Sequence, residues 1–188
     1  MIPSSIQDEN LEVLDLVNDQ DEKIGTILRG EVVKVNYRMP GKYVRFVNGF
    51  VVNKAGQIFI QTRSPHKFIA PNGFDYSVAE HVFAGETYDA AIIRGFEEEL
   101  GWQIDPKQLA DLGKLPPTPE KPVFDRVYAL INYEGPDPTL NTDEFTSAEW
   151  LSIEEIQEML TAAKITQKAS LIPALALLEA YLAGTTSK

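Results

Sequence analysis

The sequence predicts a mixed α/β domain of layered sheet and helices, with a β-hairpin at its N-terminal end. Three observations support this class. Strand-like segments lie on both sides of one central amphipathic helix, further helical segments follow it, and 188 residues with 44% hydrophobic content suffice for one buried core. We assign residues 1–43 to the hairpin and a connection, and residues 44–188 to the main domain with its C-terminal helices.

The N-terminal half contains two predicted hairpins. Residues 11–28 form two short apolar strands around the polar turn NDQDEK, and residues 45–63 form a stronger pair around a turn at 54–56. Residues 29–43 contain a Pro-Gly pair and are interpreted as a connection. An irregular segment then leads to a short strand over 77–82, directly before the central helix.

The C-terminal half is predicted to contain two strands and two helices. The segment VFDRVYALINYE (123–134) is a strand, and SAEWLS (147–152) is a shorter strand followed by the helix IEEIQEMLTAA. The segment 169–183 is apolar nearly all round, which predicts a buried helix. Pro173 then lies in its first turn, where proline is tolerated.

The composition excludes several classes of protein and site. A formal net charge of −11 argues against broad nucleic-acid binding, which needs a basic face. There are no cysteines, so disulfides, thiolate metal sites and cysteine catalysis are excluded together. The sequence has no basic and apolar leader and no apolar run long enough to cross a bilayer. We therefore expect a cytoplasmic protein with no membrane partner.

The central helix, predicted over 88–100, carries three successive glutamates and an interior glycine. Thr87 is a suitable N-cap and Gly101 a suitable C-terminal stop. The core face is formed by apolar residues within one arc of the helical wheel, namely Ile92, Ile93, Phe96 and Leu100. An interior glycine costs about 1 kcal/mol relative to alanine, so its presence requires an explanation.

The glutamates of this helix do not share one face. On the helical wheel Gly95 lies between Glu98 and Glu99, whereas Glu97 points away from them. Arg94 lies one turn before Glu98 and is predicted to orient it through an i,i+4 pair. An acidic run is most often a solvated helix face, but paired carboxylates beside a glycine suit a hard cation such as Mg²⁺.

Residues 80–102, EHVFAGETYDAAIIRGFEEELGW, resemble the signature of the Nudix hydrolases, G-x5-E-x7-R-E-U-x-E-E-x-G-U, where U is a bulky apolar residue. Seven of its nine defined positions agree, namely Glu86, Arg94, Phe96, Glu98, Glu99, Gly101 and Trp102. Residues 11–160 are also similar to the Nudix subgroup related to isopentenyl-diphosphate isomerase. The resemblance implies an α/β/α sandwich and a divalent cation, Mg²⁺ or alternatively Mn²⁺, that activates water against a pyrophosphate linkage.

Two positions depart from that signature. Its first glycine is Glu80 here, and the glutamate after Arg94 is Gly95. In the family, the glutamate that aligns with Gly95 is a metal ligand or assists catalysis. We interpret the two departures as an exchange, in which Glu80 enters the space left by Gly95 and completes a metal site with Glu98 and Glu99. A weakened or inactive site is the alternative interpretation.

The resemblance also suggests a general base, which the family often takes from a glutamate in a late loop. Glu144 is the best-placed candidate, and Asp143 and Glu149 are its rivals. The predicted catalytic residues are Glu98, Glu99, Glu144 and Arg94.

Four residues that precede the helix are candidates for substrate or metal contacts. Arg63 and Lys67 are predicted to bind phosphates. Tyr76 is predicted to stack on a base, with Phe74 and Tyr128 as alternatives, although aromatic residues in strands are more often core residues. His81 aligns with a histidine of the subgroup and is either a ligand or a structural hydrogen-bonding residue.

The function that these features favour is Mg²⁺-dependent hydrolysis of a pyrophosphate linkage in a nucleoside diphosphate or a derivative of one. A silent nucleotide-binding module is the alternative. An isomerase is disfavoured, because that enzyme uses a cysteine where this chain has Ala79. We expect the partner to be a small-molecule nucleotide or diphosphate, with specificity set by the hairpin and the 113–122 loop. Hairpin extensions often serve dimerisation in this superfamily, so a homodimer is an open alternative to a monomer.

Overall fold

The structure, a computed structural model, describes residues 10–34, 38–67, 69–162 and 165–185. Its strands are β1 (Val13–Val17), β2 (Lys23–Leu28), β3 (Arg45–Asn53), β4 (Ile58–Arg63), β5 (Phe74–Asp75), β6 (Val78–His81), β7 (Leu109–Leu115), β8 (Phe124–Tyr133) and β9 (Phe145–Leu151). Its helices are α1 (Arg29–Lys34), α2 (Tyr88–Leu100), α3 (Ile153–Thr161) and α4 (Leu171–Thr185), with a 3₁₀ turn at Pro106–Gln108.

The main sheet is mixed and consists of two parts. In one part, β3 pairs with β6 in antiparallel and with β8 in parallel orientation, and β7 is antiparallel to β8. In the other part, β4 lies between β5 and β9 and is antiparallel to both. The two parts join where β3 meets β4, through the pair Val52 and Ile58 next to their turn. The mixed sheet and the hairpin over 45–63 are therefore confirmed.

Alternation along the strands supplies two hydrophobic cores, one on each face of the sheet. Phe50 and Val127 pack on one face with residues of α3 and α4, such as Ile156 and Leu175. The residues that follow them in the chain point to the other face, where Val51 and Tyr128 pack with residues of α2, such as Ile92 and Phe96. Helices on both faces make an α/β/α sandwich, so the predicted fold class is confirmed.

The helix α2 has the predicted bounds because its two ends are set by local hydrogen bonds. Thr87 has extended backbone angles, and its side chain accepts a hydrogen bond from the N–H of Ala90. Gly101 has φ of 70°, and its N–H donates to the carbonyl oxygens of Glu97 and Phe96. This left-handed conformation is easily adopted by glycine, which is why the helix ends there.

The N-terminal hairpin predicted over 11–28 is confirmed as β1 and β2, and it docks on the loop that precedes α2. Leu14 forms a bridge with Phe83, and the N–H of Ala84 donates to the carbonyl oxygen of Val13 at 2.8 Å. The buried carboxylate of Asp15 accepts a hydrogen bond from Gly85 N–H at 3.2 Å. The hairpin therefore holds the loop between β6 and α2.

Three expectations differ from the structure. The connection over 29–43 begins with α1, and the strand β7 includes residues 113–115 of the predicted loop. The apolar pattern of β7 is interrupted by Asp111 and Gly113, which disfavour strands. The helix α4 is buried on one face only, since Ile172 is 51% exposed on the other. Because apolar residues lie on both of its sides, the sequence does not reveal which face of α4 packs against the core.

In the part of the chain that the structure describes, none of the helices is long and apolar enough to span a membrane.

Candidate active site

A cavity of about 230 Å³ lies between α2 and residues of the strands β4, β5, β6 and β9. Its lining combines acids and cations, and it comprises Glu12, Arg29, Arg63, Asp75, Ala79, Glu80, His81, Glu98, Glu99, Asn141, Glu144, Phe145 and Lys168. Among the predicted site residues it thus brings together Glu80, Glu98, Glu99, Glu144 and Arg63. Glu97 is exposed and does not belong to the lining, as the helical wheel predicts.

Gly95 faces β6 at close range. A Cβ atom at this position would lie 2.7 Å from Val78 Cγ1 and 2.9 Å from Glu80 Cγ. Both distances are shorter than real Cβ contacts, so an alanine would require the side chains of β6 to shift. The absence of a side chain at Gly95 therefore leaves the space that the side chain of Glu80 occupies. This steric relationship is the one that the predicted exchange requires.

Arg94 connects the carboxylates around the loop and the helix. It donates to both oxygens of Glu86 at 3.1 Å, to Glu80 at 3.2 Å and to Glu98 at 2.9 Å. It also donates to the carbonyl oxygen of His81 at 2.7 Å. The predicted pair between Arg94 and Glu98 is thus present, and Arg94 orients two further glutamates.

The carboxylates of Glu80 and Glu99 lie close to one another at half-buried positions. Burial raises the pKa of Glu80, and the attraction of Arg94 offsets part of that increase. Burial raises the pKa of Glu99 well above its ordinary value, and repulsion by Glu80 adds to it. A hydrogen bond of 2.8 Å from the N–H of Ala79 to Glu99 opposes the shift. The hydrogen bond from Ala79 and the attraction of Lys168 therefore offset the raised pKa of Glu99 only in part.

The donor set fits a hard divalent cation in its chemistry, because Glu98 raises the pKa of Glu80, Glu80 raises the pKa of Glu99, and such an ion stabilises neighbouring carboxylates. Within the described residues, no group of three or more acidic or histidine side chains lies close enough together to hold a metal as they stand. Arg94 binds Glu80 and Glu98, and Ala79 binds Glu99. A cation shared by all three glutamates therefore requires some of these contacts to be exchanged.

Glu144 lies at the edge of the cavity, where it forms an ion pair with Lys67. The structure therefore brings together Glu144, the predicted base, and Lys67, a predicted phosphate ligand, although Lys67 itself is not part of the lining. The rivals for the base lie elsewhere: Asp143 and Glu149 are exposed and do not line the cavity. The geometry favours Glu144 among the three candidates.

The prediction that Tyr76 stacks on a base is wrong. Its side chain is 0% exposed, and its hydroxyl group is hydrogen-bonded to Ser170 Oγ at 2.8 Å within the core. The alternatives Phe74 and Tyr128 are also buried. The alternation of strand residues places these rings inside the sandwich, where they have no free face for a ligand.

His81 and Arg63 line the cavity from buried positions. The ring of His81 packs against Phe46 with the centroids 4.0 Å apart. Burial lowers the pKa of His81 well below its ordinary value, so the ring is neutral. Arg63 forms an ion pair with Asp75 and donates to the carbonyl oxygen of Ile69 at 2.7 Å.

Several residues of the lining were not predicted from the sequence. Glu12 and Arg29 come from the N-terminal extension and form an ion pair at 2.7 Å. Lys168 comes from the segment before α4 and pairs with Asp75 at 2.9 Å. None of them belongs to a motif, and only their positions in the folded chain reveal them.

Comparisons with known proteins give concordant results. A model of the NUDIX domain matches residues 42–175. The chain is 36% identical over 154 residues to a Nudix hydrolase of Deinococcus radiodurans, which covers 81% of this chain and 86% of that protein. It is 31% identical over 126 residues to the prenyl-diphosphate phosphatase of Methanosarcina mazei, which covers 65% of this chain and 72% of that protein. A crystal structure of a Deinococcus radiodurans protein superposes with a TM-score of 0.72 at 35% identity and covers 90% of this chain and 99% of that one.

Proposed function

Since this chain belongs to the Nudix hydrolase family, which acts on phosphoric anhydrides, we propose that it hydrolyses a pyrophosphate linkage in a nucleoside diphosphate or a derivative of one, with the aid of Mg²⁺. The observation that carries the proposal is the shared cavity. Glu80, Glu98 and Glu99 line it together with Glu144 and cationic side chains. Acidic groups for a cation and basic groups for a phosphate are thus present within one small volume.

The metal would be held by Glu80, Glu98 and Glu99, with Gly95 providing the space for Glu80. When bound, a divalent cation polarises the phosphorus centre and lowers the pKa of an attacking water. Mn²⁺ would be accepted by the same oxygen ligands as an alternative. Arg94, which contacts Glu80 and Glu98, and the N–H of Ala79, which contacts Glu99, would give up some of these hydrogen bonds to the cation.

Glu144 is the proposed general base. Its carboxylate is partly exposed at the cavity edge, where it forms an ion pair with Lys67 and can be reached by water. The attacking water adds to one phosphorus atom, its proton passes to Glu144, and the bridging oxygen leaves with the other phosphate. Arg63 and Lys67 would bind phosphate oxygens during this step. The role of the N-terminal hairpin in specificity agrees with the position of Glu12 and Arg29 in the lining.

A prenyl diphosphate is the second candidate substrate. The Methanosarcina mazei relative is named for that activity. In addition, the two aromatic rings in the described lining, Phe145 and His81, are only 4% and 5% exposed, so the cavity itself presents little surface for stacking a base. The cleaved linkage is a pyrophosphate in both cases. A nucleoside or prenyl diphosphate yields a monophosphate and inorganic phosphate, whereas a derivative esterified at its terminal phosphate yields two monophosphates.

The proposal is tested by product analysis over a panel of nucleoside diphosphates, nucleoside diphosphate derivatives and prenyl diphosphates, with Mg²⁺, with Mn²⁺ and with a chelator. We expect cation-dependent turnover, and the preferred group of substrates decides between the two candidates. Binding of a nucleotide without turnover of any compound would instead identify a silent binding module.

The exchange of ligands is tested in the same assay with Glu80→Gln. Loss of a metal ligand should lower Mg²⁺-dependent turnover by about tenfold or more. Glu97→Gln is the matched control, because Glu97 is an exposed glutamate of α2 outside the cavity. If Glu80→Gln and Glu97→Gln both keep full activity, Glu80 is not a ligand.

A further inference from the structure

We propose that Lys168, on the segment before α4, binds a phosphate group of the substrate and together with Arg63 forms a phosphate-binding wall of the cavity. This inference rests on the proposed function for the identity of the phosphate ligand. Lys168 lies outside the signature and more than 60 residues beyond it in the chain, yet it lines the same cavity as Glu80 and Glu99.

Backbone hydrogen bonds fix the segment that carries Lys168. The N–H of Phe74 donates to the carbonyl oxygen of Thr166 at 2.8 Å, and the N–H of Lys168 donates to the carbonyl oxygen of Phe74 at 3.3 Å. The segment therefore runs parallel to β5 as an added edge. Two residues further on, Ser170 is hydrogen-bonded to the hydroxyl of Tyr76 and accepts a hydrogen bond from Lys121. Lys168 is thus held between the hydrogen bonds to Phe74 and those of Ser170. Such support fixes the position of a side chain that contacts a ligand.

Asp75 is shared by two cations at this wall. Its carboxylate is 2% exposed and pairs with Lys168 at 2.9 Å through one oxygen and with Arg63 through the other. The N–H of Tyr76 donates to the same carboxylate at 2.8 Å. At Asp75 itself, one negative charge therefore faces two positive charges.

Lys168 and Arg63 share one aspartate while both line the cavity, whereas Lys114 and Arg45, which also share one aspartate, do not line it. The side chain of Lys168 is 17% exposed and borders the cavity, where an ammonium can donate to more than one acceptor. A phosphate group suits both cations, because it brings negative charge for them and several acceptor oxygens for their donors. Asp75 then acts as a positioning residue that aims both cations.

The experiment titrates the full-length protein with inorganic diphosphate by calorimetry, with and without Mg²⁺, in wild type and in Lys168→Met. One charge-assisted hydrogen bond is lost, so we expect the Kd to rise about tenfold. For the substrate that is hydrolysed, KM should rise by a similar factor while kcat changes much less. Lys168→Arg keeps a cation and should recover part of the affinity.

Lys114→Met is the matched control. Lys114 and Arg45 share Asp21 in the same way as Lys168 and Arg63 share Asp75, but neither Lys114 nor Asp21 lines the cavity. This variant should therefore keep the wild-type Kd. The increase in Tm on adding inorganic diphosphate is measured within each variant, so that a loss of stability is not mistaken for a loss of binding.

An unchanged Kd in Lys168→Met overturns the inference, and so does a wild-type protein that binds no inorganic diphosphate. An equal loss of binding in Lys114→Met also overturns it, because the effect would then be structural. A protein that binds inorganic diphosphate through Lys168 but hydrolyses nothing in the panel would refute the proposed function alone.

Discussion

Gly95 and Glu80 pack directly against each other across the contact between α2 and β6. The position of a Cβ atom on Gly95 lies 2.9 Å from Glu80 Cγ and 2.7 Å from Val78 Cγ1. The helix therefore accepts a residue of low helix propensity in order to pass close to this strand. Glu80 and Gly95 are the two departures from the motif. Because they are in contact, the size of the residue at position 95 limits the space for the side chain at position 80.

Gly95→Ala should destabilise the protein even though alanine favours helices. Alanine gains about 1 kcal/mol of helix propensity. Overpacking against the stiff side chain of Val78 costs about 1–3 kcal/mol, so we expect the free energy of unfolding to fall by about 1 kcal/mol. Urea denaturation measures it. The control is Gly184→Ala in α4, where a Cβ would meet nothing within 4 Å. An equal gain of stability in both variants would contradict the close contact.

The exchange interpretation predicts non-additive activity. Glu80→Gly removes a proposed ligand, and Gly95→Glu places a carboxylate where no space exists in the wild type. The double variant, which restores the family's arrangement, should recover Mg²⁺-dependent turnover to well above either single variant. Contacting residues commonly couple by about 0.5–3 kcal/mol. A double variant as inactive as the product of the two single effects would count against the interpretation.

The free energy of unfolding should depend on pH through Glu99. Because the pKa of Glu99 is raised above the ordinary value of 4.5, the folded state binds more protons than the unfolded state between these two values. The free energy of unfolding of the metal-free protein therefore falls as the pH rises through this window. Glu99→Gln should flatten that decline, whereas Glu97→Gln should leave it intact. Calorimetric Tm values in a chelator test this, and parallel profiles for wild type and Glu99→Gln would refute it.

The same group links metal binding to pH. A carboxylate must lose its proton before it binds a cation, so the increase in Tm on adding Mg²⁺ should be larger at pH 8 than at pH 6. Glu99→Gln should abolish most of this increase at both pH values. An increase in Tm that does not depend on pH would show that the cation binds groups other than the buried carboxylates.

Arg94→Lys should be costly despite the retained charge. A lysine cannot span Glu86, Glu80, Glu98 and the carbonyl oxygen of His81 in the way that the guanidinium does. We expect a loss of about 2 kcal/mol in the free energy of unfolding, and a loss of about tenfold in Mg²⁺-dependent turnover because Glu98 is no longer oriented. Arg126→Lys, which alters an exposed pair with Asp111, is the control and should change stability little.

Tyr76→Phe should affect stability and leave catalysis unchanged. The variant removes the hydrogen bond between the tyrosine hydroxyl and Ser170 in the core, at a cost of about 1 kcal/mol. Since the ring has no exposed face, KM for a nucleotide substrate should equal that of the wild type. A large change in KM at unchanged stability would restore the stacking role.

The features that could be predicted are those that neighbouring residues control. The bounds of α2 follow from hydrogen bonds at Thr87 and Gly101, within one turn of each end. The two faces of β3 follow from strand alternation, and the i,i+4 spacing already predicts the pair between Arg94 and Glu98. The family motif added the expected sandwich and the grouping of the glutamates.

The remaining features depend on contacts between distant parts of the chain. Tyr76 could be a surface or a core residue until packing placed its ring next to Ser170, 94 residues away. β7 has a weak strand pattern and forms because β8 supplies its hydrogen-bonding partner. The sequence does not show which side of α4 is exposed, because apolar residues lie on both sides of the helix. In each case the deciding energy comes from a neighbour that periodicity does not reveal.

Local spacing along the chain is enough to reveal the family motif, the helix that bears the glutamates and the two departures at Glu80 and Gly95. The folded chain is needed to show that Glu80 occupies the space beside Gly95 and that Asp75 holds Arg63 and Lys168 at the same cavity. This difference arises because steric exclusion and ion pairing act over a few ångströms in space, whatever the separation along the chain.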